Sequence, residues 1–204
     1  MDRFTNKTKY MAVLALLMPA IFIYPIGDIV AAERLTPQIT LKKALDALEE
    51  GKTHKALEAA HRSMLLLTQQ DRFHIRMSKL VSDEPSGWGV YTTRKSNRYK
   101  QGEKVRVYVE PGSFKYKRGS EGMFRFGFTV DFALAKTDGK ILGGQQDFGR
   151  FPFKSHRPNT EIFLDLKFTL TGLPAGKYIM KITVHDMISK EIETIDMPIE
   201  FIDG

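Results

Sequence analysis

Gly172-Leu-Pro-Ala-Gly-Lys-Tyr178-Ile-Met-Lys-Ile-Thr-Val-His-Asp186 reads as a turn that opens into a strand. Tyr178, Met180, Ile182 and Val184 fall on one face, and Lys177, Lys181, Thr183 and His185 on the other, the two-residue period of a half-buried strand. Gly172, Pro174 and Gly176 punctuate its entry. The position of Tyr178 predicts that its hydroxyl caps the turn while its ring covers a core.

Working outward, the same alternation recurs. Val105, Val107 and Val109 alternate with polar neighbours and end at Pro111-Gly112. Phe124, Phe126, Phe128, Val130, Phe132 and Leu134 share one face of the longest run. Asp138-Gly139 then suits a tight hairpin turn into a strand from Ile141, where Gly143-Gly144 predicts a bulge or a close backbone approach. Ile162 to Leu170 and Ile195 to Phe201 alternate likewise, and Trp88 to Tyr91 reads as a short first strand. No crossover helices separate these runs, so the expectation is mainly β: a seven-stranded antiparallel sandwich of immunoglobulin-like type.

Before the strands, Thr40 is the expected N-cap of a helix carrying Leu41, Ala44, Leu45 and Leu48, which Gly51 closes. A second helix from Thr53 carries Ala56, Leu57, Ala60, Met64 and Leu67, completing an α-helical hairpin, and Phe73 to Val81 reads as a third short helix. Asp83-Glu-Pro-Ser-Gly87 is the expected boundary. The segments are therefore 1–32 (signal peptide), 33–85 (helical hairpin) and 86–204 (sandwich), with a chain starting near Ser86 expected to fold alone.

Arg3, Lys7 and Lys9, the apolar run Met11 to Tyr24, and Val30-Ala31-Ala32 have the order of a Sec-type signal cleaved after Ala32. Pro19, Pro25 and Asp28 break the run before it reaches the about 20 apolar residues of a membrane span. A periplasmic or secreted protein without a stable transmembrane anchor follows after cleavage; an uncleaved membrane anchor is the competing reading. The 204 residues are 42% apolar, contain no cysteine and carry a formal charge of +7, which excludes disulfides, thiolate nucleophiles and cysteine-bound zinc.

Gly51, Ala56 and Ala60 resemble the small positions of half a tetratricopeptide repeat, with no second copy after them. Gly89-Val-Tyr91, Tyr108-Val-Glu110-Pro, Gly139-Lys-Ile-Leu-Gly143 and Leu173-Pro-Ala-Gly-Lys-Tyr178 resemble an immunoglobulin-like β-sandwich domain of uncharacterised exported bacterial envelope proteins. That likeness covers about residues 87 to 203. It implies the fold and the envelope location, and no activity.

No hydrolase elbow, phosphate loop or zinc-protease motif occurs. His54 and His61 stand seven apart without a third ligand, so no metal or cofactor is expected. A glycosidase would need two facing carboxylates, for example among Asp131, Asp147 and Asp165. Gly143 to Phe153 mixes amides, an acid, an arginine and phenylalanines, as sugar and peptide grooves do; bulge glycines and core phenylalanines explain the same residues. Arg94, Lys95, Arg98, Lys100, Lys115, Lys117 and Arg118 concentrate positive charge. They suit an acidic envelope protein, an anionic glycan or lipid headgroups if folding joins them, and a guarded strand edge if it does not; an exported chain is not expected to meet nucleic acid. The sequence thus points to a non-enzymatic binding or scaffolding module, with a glycan-directed binding protein or hydrolase as the alternative.

Overall fold

The structure, a computed structural model, describes residues 35–119 and 121–203; the expected signal peptide lies outside them. Helices α1 (Pro37–Glu49) and α2 (Thr53–Gln70) precede nine strands. These are β1 (His74–Leu80), β2 (Arg98–Lys100), β3 (Lys104–Gly112), β4 (Lys117–Arg118), β5 (Phe124–Lys136), β6 (Ile141–Ser155), β7 (Leu164–Thr169), β8 (Gly176–Asp186) and β9 (Ile192–Ile202). No described helix is long and apolar enough to cross a membrane.

The fold is mainly β. A three-stranded sheet, β1-β3-β7, faces a six-stranded sheet in which β2-β9-β8-β5 run in order, with β4 and β6 also paired to β5. The inner faces share one core. Val105, Val107, Val109, Leu164, Leu166 and Phe168 come from the smaller sheet; Phe126, Phe128, Val130, Met180, Ile182, Ile199 and Phe201 come from the larger. This follows from the alternation of side chains along each strand, which sends one apolar set inward. Tyr178 donates its hydroxyl proton to the Pro174 carbonyl at 2.8 Å, closing the turn that leads into β8.

Three local assignments change. Residues 74–80 form β1 rather than a helix, antiparallel to β3 from His74↔Gly112 to Leu80↔Val107. Ile75, Met77 and Leu80 suit either period, and burial against β3 decides the contest in favour of the strand. The segment Asp83 to Gly87 therefore lies between two paired strands of one sheet, not between domains. Trp88 to Tyr91 is not a strand; two isolated bridges, Gly87↔Val90 and Val81↔Thr93, pin that loop, while β2 and β4 are additional short strands.

The hairpin also packs differently from its leucine pattern. Thr36 is the N-cap, accepting from the Ile39 amide at 3.3 Å, and the hydroxyl of Thr40 turns back on the Thr36 and Pro37 carbonyls. Small residues close the helix pair: Thr40, Ala44, Ala56 and Ser63 are buried, and Ser63 donates to the Pro37 carbonyl at 2.9 Å. Leu45, Leu48 and Leu57 stay 62%, 57% and 65% exposed. At the C-terminus of α2, the Lys115 ammonium donates to the Thr68 and Asp71 carbonyls, placing a cation where a helix favours one.

Two buried tyrosines give the fold an alkaline limit. Tyr108 is fully buried, donates to Glu110 at 2.6 Å, and lies between the rings of Tyr91 and Phe163. Burial first, and the bond to Glu110 second, push its pKa up to about 12; burial does the same for Tyr99, also about 12. Because both values exceed the ordinary 10.0, the folded state favours the protonated phenols. Their stabilisation is fully present below pH 10 and is lost as pH rises through 12. In a spectrophotometric titration these two tyrosinates should appear last and together with loss of fold; their ionisation early in that range with the fold intact would contradict it.

Candidate functional site

The outer face of the larger sheet is built from rungs across three strands. Asp131 of β5 stands opposite Thr183 of β8, which stands opposite Thr194 of β9; in the next rung Ala133, Lys181 and Asp196 align. Lys181 is held by Asp196 at 2.9 Å, and the Thr183 and Thr194 hydroxyls share a 2.8 Å hydrogen bond. Asp131 bonds to His185 Nε2 at 2.8 Å and accepts the Asp147 amide on its other oxygen at 2.8 Å.

That second bond explains β6. Val130 pairs with Gly149 but Phe132 pairs with Gln145, so the strand bulges at residues 146–148, and Asp147 takes a left-handed φ of 49°. Just before the bulge β6 lies close on β5. A side chain at Gly144 would stand 2.4 Å from the Phe132 carbonyl oxygen, so only glycine fits, whereas Gly143 faces open space. The result is an open groove of about 500 Å³ lined by Asp131, Lys181, Thr183, Thr194, Gln145 and Gln146. On the inner side of the same glycines a second hollow, about 290 Å³, is lined by Phe132, Leu134, Leu142, Leu170 and Leu173.

The groove offers hydroxyls, amides, the Asp131 carboxylate and one ion-paired ammonium beside Phe132, Ala133 and Ile141, a surface for a ligand with both polar and apolar groups. Asp165 is not there. It lies in β7, on the smaller sheet, beside Arg106 at 3.3 Å; burial raises its pKa while Arg106 and Lys167 oppose the rise. Of the three carboxylates singled out from sequence, Asp131 lines the groove, with both oxygens already engaged.

The basic residues do not assemble. Arg94 is bound within its own loop, 2.7 Å from Glu103, over the Tyr99 ring at 4.1 Å, and donating to the Ser96 and Arg98 carbonyls. Arg98 pairs with Glu200 at 3.3 Å, and Lys95 and Lys100 are exposed nearby. Lys115 caps α2, Lys117 stands opposite Arg125 in the β4–β5 ladder, and Arg118 covers the Phe124 ring. Arg98 to Lys100 align with the C-terminal end of β9, which the ladder places beside the Lys136 end of β5; Lys117 and Arg118 align with the Phe124 end. At about 3.4 Å per residue the two groups stand on the order of 40 Å apart along the strand, because the loops before and after β3 lie at opposite ends of the sheets. Of the two arrangements the sequence leaves open, joined or divided, the structure has the divided one.

Sequence reasoning marked Gly143 to Phe153 but not its partners across the sheet. Lys181, Thr183 and His185 were visible as the outward set of β8; Thr194 and Asp196 needed the register of β9.

Neither the scan of protein-family models nor the search of curated proteins finds a match. Among solved structures, the alkylpurine DNA glycosylase AlkC of Pseudomonas fluorescens, bound to DNA containing an abasic-site analog, aligns with TM-score 0.36 and 12% identity over 81% of this chain and 42% of that one. A putative superoxide reductase from Thermotoga maritima aligns with TM-score 0.31 and 18% identity over 52% of this chain and 80% of that one. The chain thus spans less than half of the glycosylase. Likenesses this low carry no argument about this chain.

Proposed function

We propose that this chain is an exported, non-enzymatic binding module of the bacterial envelope, and that the groove beneath Gly143 and Gly144 is its binding site. The observation that carries the reading is the groove itself: about 500 Å³, open, and lined by convergent polar groups already fixed by their neighbours. An extended loop-free face of this kind binds without needing a reactive group. The dispersal of the basic residues favours the groove over a basic surface as the binding site. We further infer an immunoglobulin-like sandwich. With the short β2 and β4 set aside, the order β1-β3-β7 against β9-β8-β5-β6, with connections that change sheet after β3, β6 and β7, supports it, as does the hydroxyl bond from Tyr178 to a carbonyl four residues upstream.

The test is a photo-cross-linking residue at Gln146 in cells that make the protein. A discrete adduct is expected, and Thr194→Trp should abolish it, since Thr194 is an exposed residue of the groove wall on the outer face and a ring there fills the groove. No adduct, or one indifferent to Thr194→Trp, would refute the site; a glycan adduct would move the reading to the glycan-directed alternative.

A further inference from the structure

We propose that the β6 edge from Ile141 to Gly149 is a strand-addition site for an extended peptide of a partner chain, uncharged in the middle and acidic at both ends. The proposal rests on the groove reading above and names its ligand class. β6 pairs with β5 along one edge, and no described strand pairs with the other. Such an edge is a row of free backbone donors and acceptors, which proteins ordinarily guard with proline or charge. The second half of β6 is guarded, by Pro152 and Lys154. The first half, Ile-Leu-Gly-Gly-Gln-Gln-Asp-Phe-Gly, holds a single charge, at Asp147 in the bulge that ends the regular edge; ahead of that bulge Ile141 and Leu142 remain 53% and 41% exposed.

The two hollows sit on opposite faces of the sheet at the same pair of glycines. A strand laid along this edge sends successive side chains to opposite faces, so alternate residues would cover the two glycines at the rim of the polar groove and flank the apolar hollow. Backbone hydrogen bonds then supply affinity, and the hollows supply choice: small polar residues on one side, aliphatic ones on the other. Charge selects against a second copy. Lys136 and Lys140, against Asp138, stand at one end of the open half, and Arg150 and Lys154 at the other. Antiparallel pairing of two copies would bring Lys140 near Arg150, whereas acidic peptide ends complement both.

The probe is the blocked peptide Glu-Glu-Val-Thr-Val-Thr-Val-Glu-Glu, titrated to about 1 mM against the full chain and read by amide exchange. Strand addition should slow exchange about tenfold or more at alternate amides within Ile141 to Gly149, as new backbone hydrogen bonds do. Replacing the Glu residues by Lys, or methylating alternate backbone nitrogens of the probe, should each weaken binding at least about tenfold. Leu142→Lys together with Gln146→Lys, both at exposed positions, should also abolish protection while leaving the unfolding midpoint unchanged. No protection of these amides, or binding indifferent to N-methylation, overturns the proposal. If that happens while the Gln146 adduct still forms and still disappears with Thr194→Trp, strand addition fails and the groove reading stands; loss of that adduct as well refutes both.

Discussion

Phe128→Ala should lower the stability of the folded chain by about 3 to 5 kcal/mol, the cost of removing a large aromatic ring from a core that cannot collapse around the void. Phe128 is fully buried at the centre of β5. Its ring packs on Phe73 at 6.1 Å, Phe114 at 5.3 Å and Phe153 at 6.2 Å. Those three rings come from the segment before β1, the loop after β3, and β6, so one truncation unsupports three separate parts of the chain. Urea titration measures the effect; a loss below about 1 kcal/mol would mean that this face is not the core.

A chain that begins at Ser86 should yield no cooperatively folded product. It lacks β1, whose pairing with β3 runs from His74↔Gly112 to Leu80↔Val107, and it lacks Phe73 and Val81, 3% and 2% exposed. β3 would become a bare, valine-rich edge, and such edges aggregate. A chain that begins at Asp71 should keep a sharp unfolding transition, because few bonds tie the helices to the sheets: Gln69 to the Phe114 carbonyl at 3.0 Å, and Lys115 to the Thr68 carbonyl at 3.2 Å. Comparing soluble yield and transition sharpness decides the matter. A soluble, cooperative product from Ser86 onward would overturn it.

The β periodicity was legible wherever a strand has one dry and one wet face, as in β3, β5, β7, β8 and β9. It failed at β1, where Ile75, Met77 and Leu80 fit two periods and the deciding partner lies some thirty residues further on. In the hairpin the leucine stripe indicated helices correctly but not their contact, which small side chains make by close approach. The groove was half legible. Gly143-Gly144 signalled an irregularity, but its depth comes from the bulge that Asp131 holds open from the neighbouring strand. The arrangement of the basic tract stayed open because nearness in sequence says little about nearness across a two-sheet fold.

The parallel pairing of β2 with β9, in which Arg98 meets Glu200 and Tyr99 meets Phe201, has a kinetic consequence. Tyr99 and Phe201, each 1% exposed, bury one another across about half the chain's length. Loop-closure entropy has to be overcome before such a distant contact returns any energy, so assembly should be slow for a protein of this size. While the chain is being made, the core can close only after Phe201 has emerged. Until then the valine and phenylalanine strands are exposed to aggregation, and a holding chaperone has its longest opportunity to act.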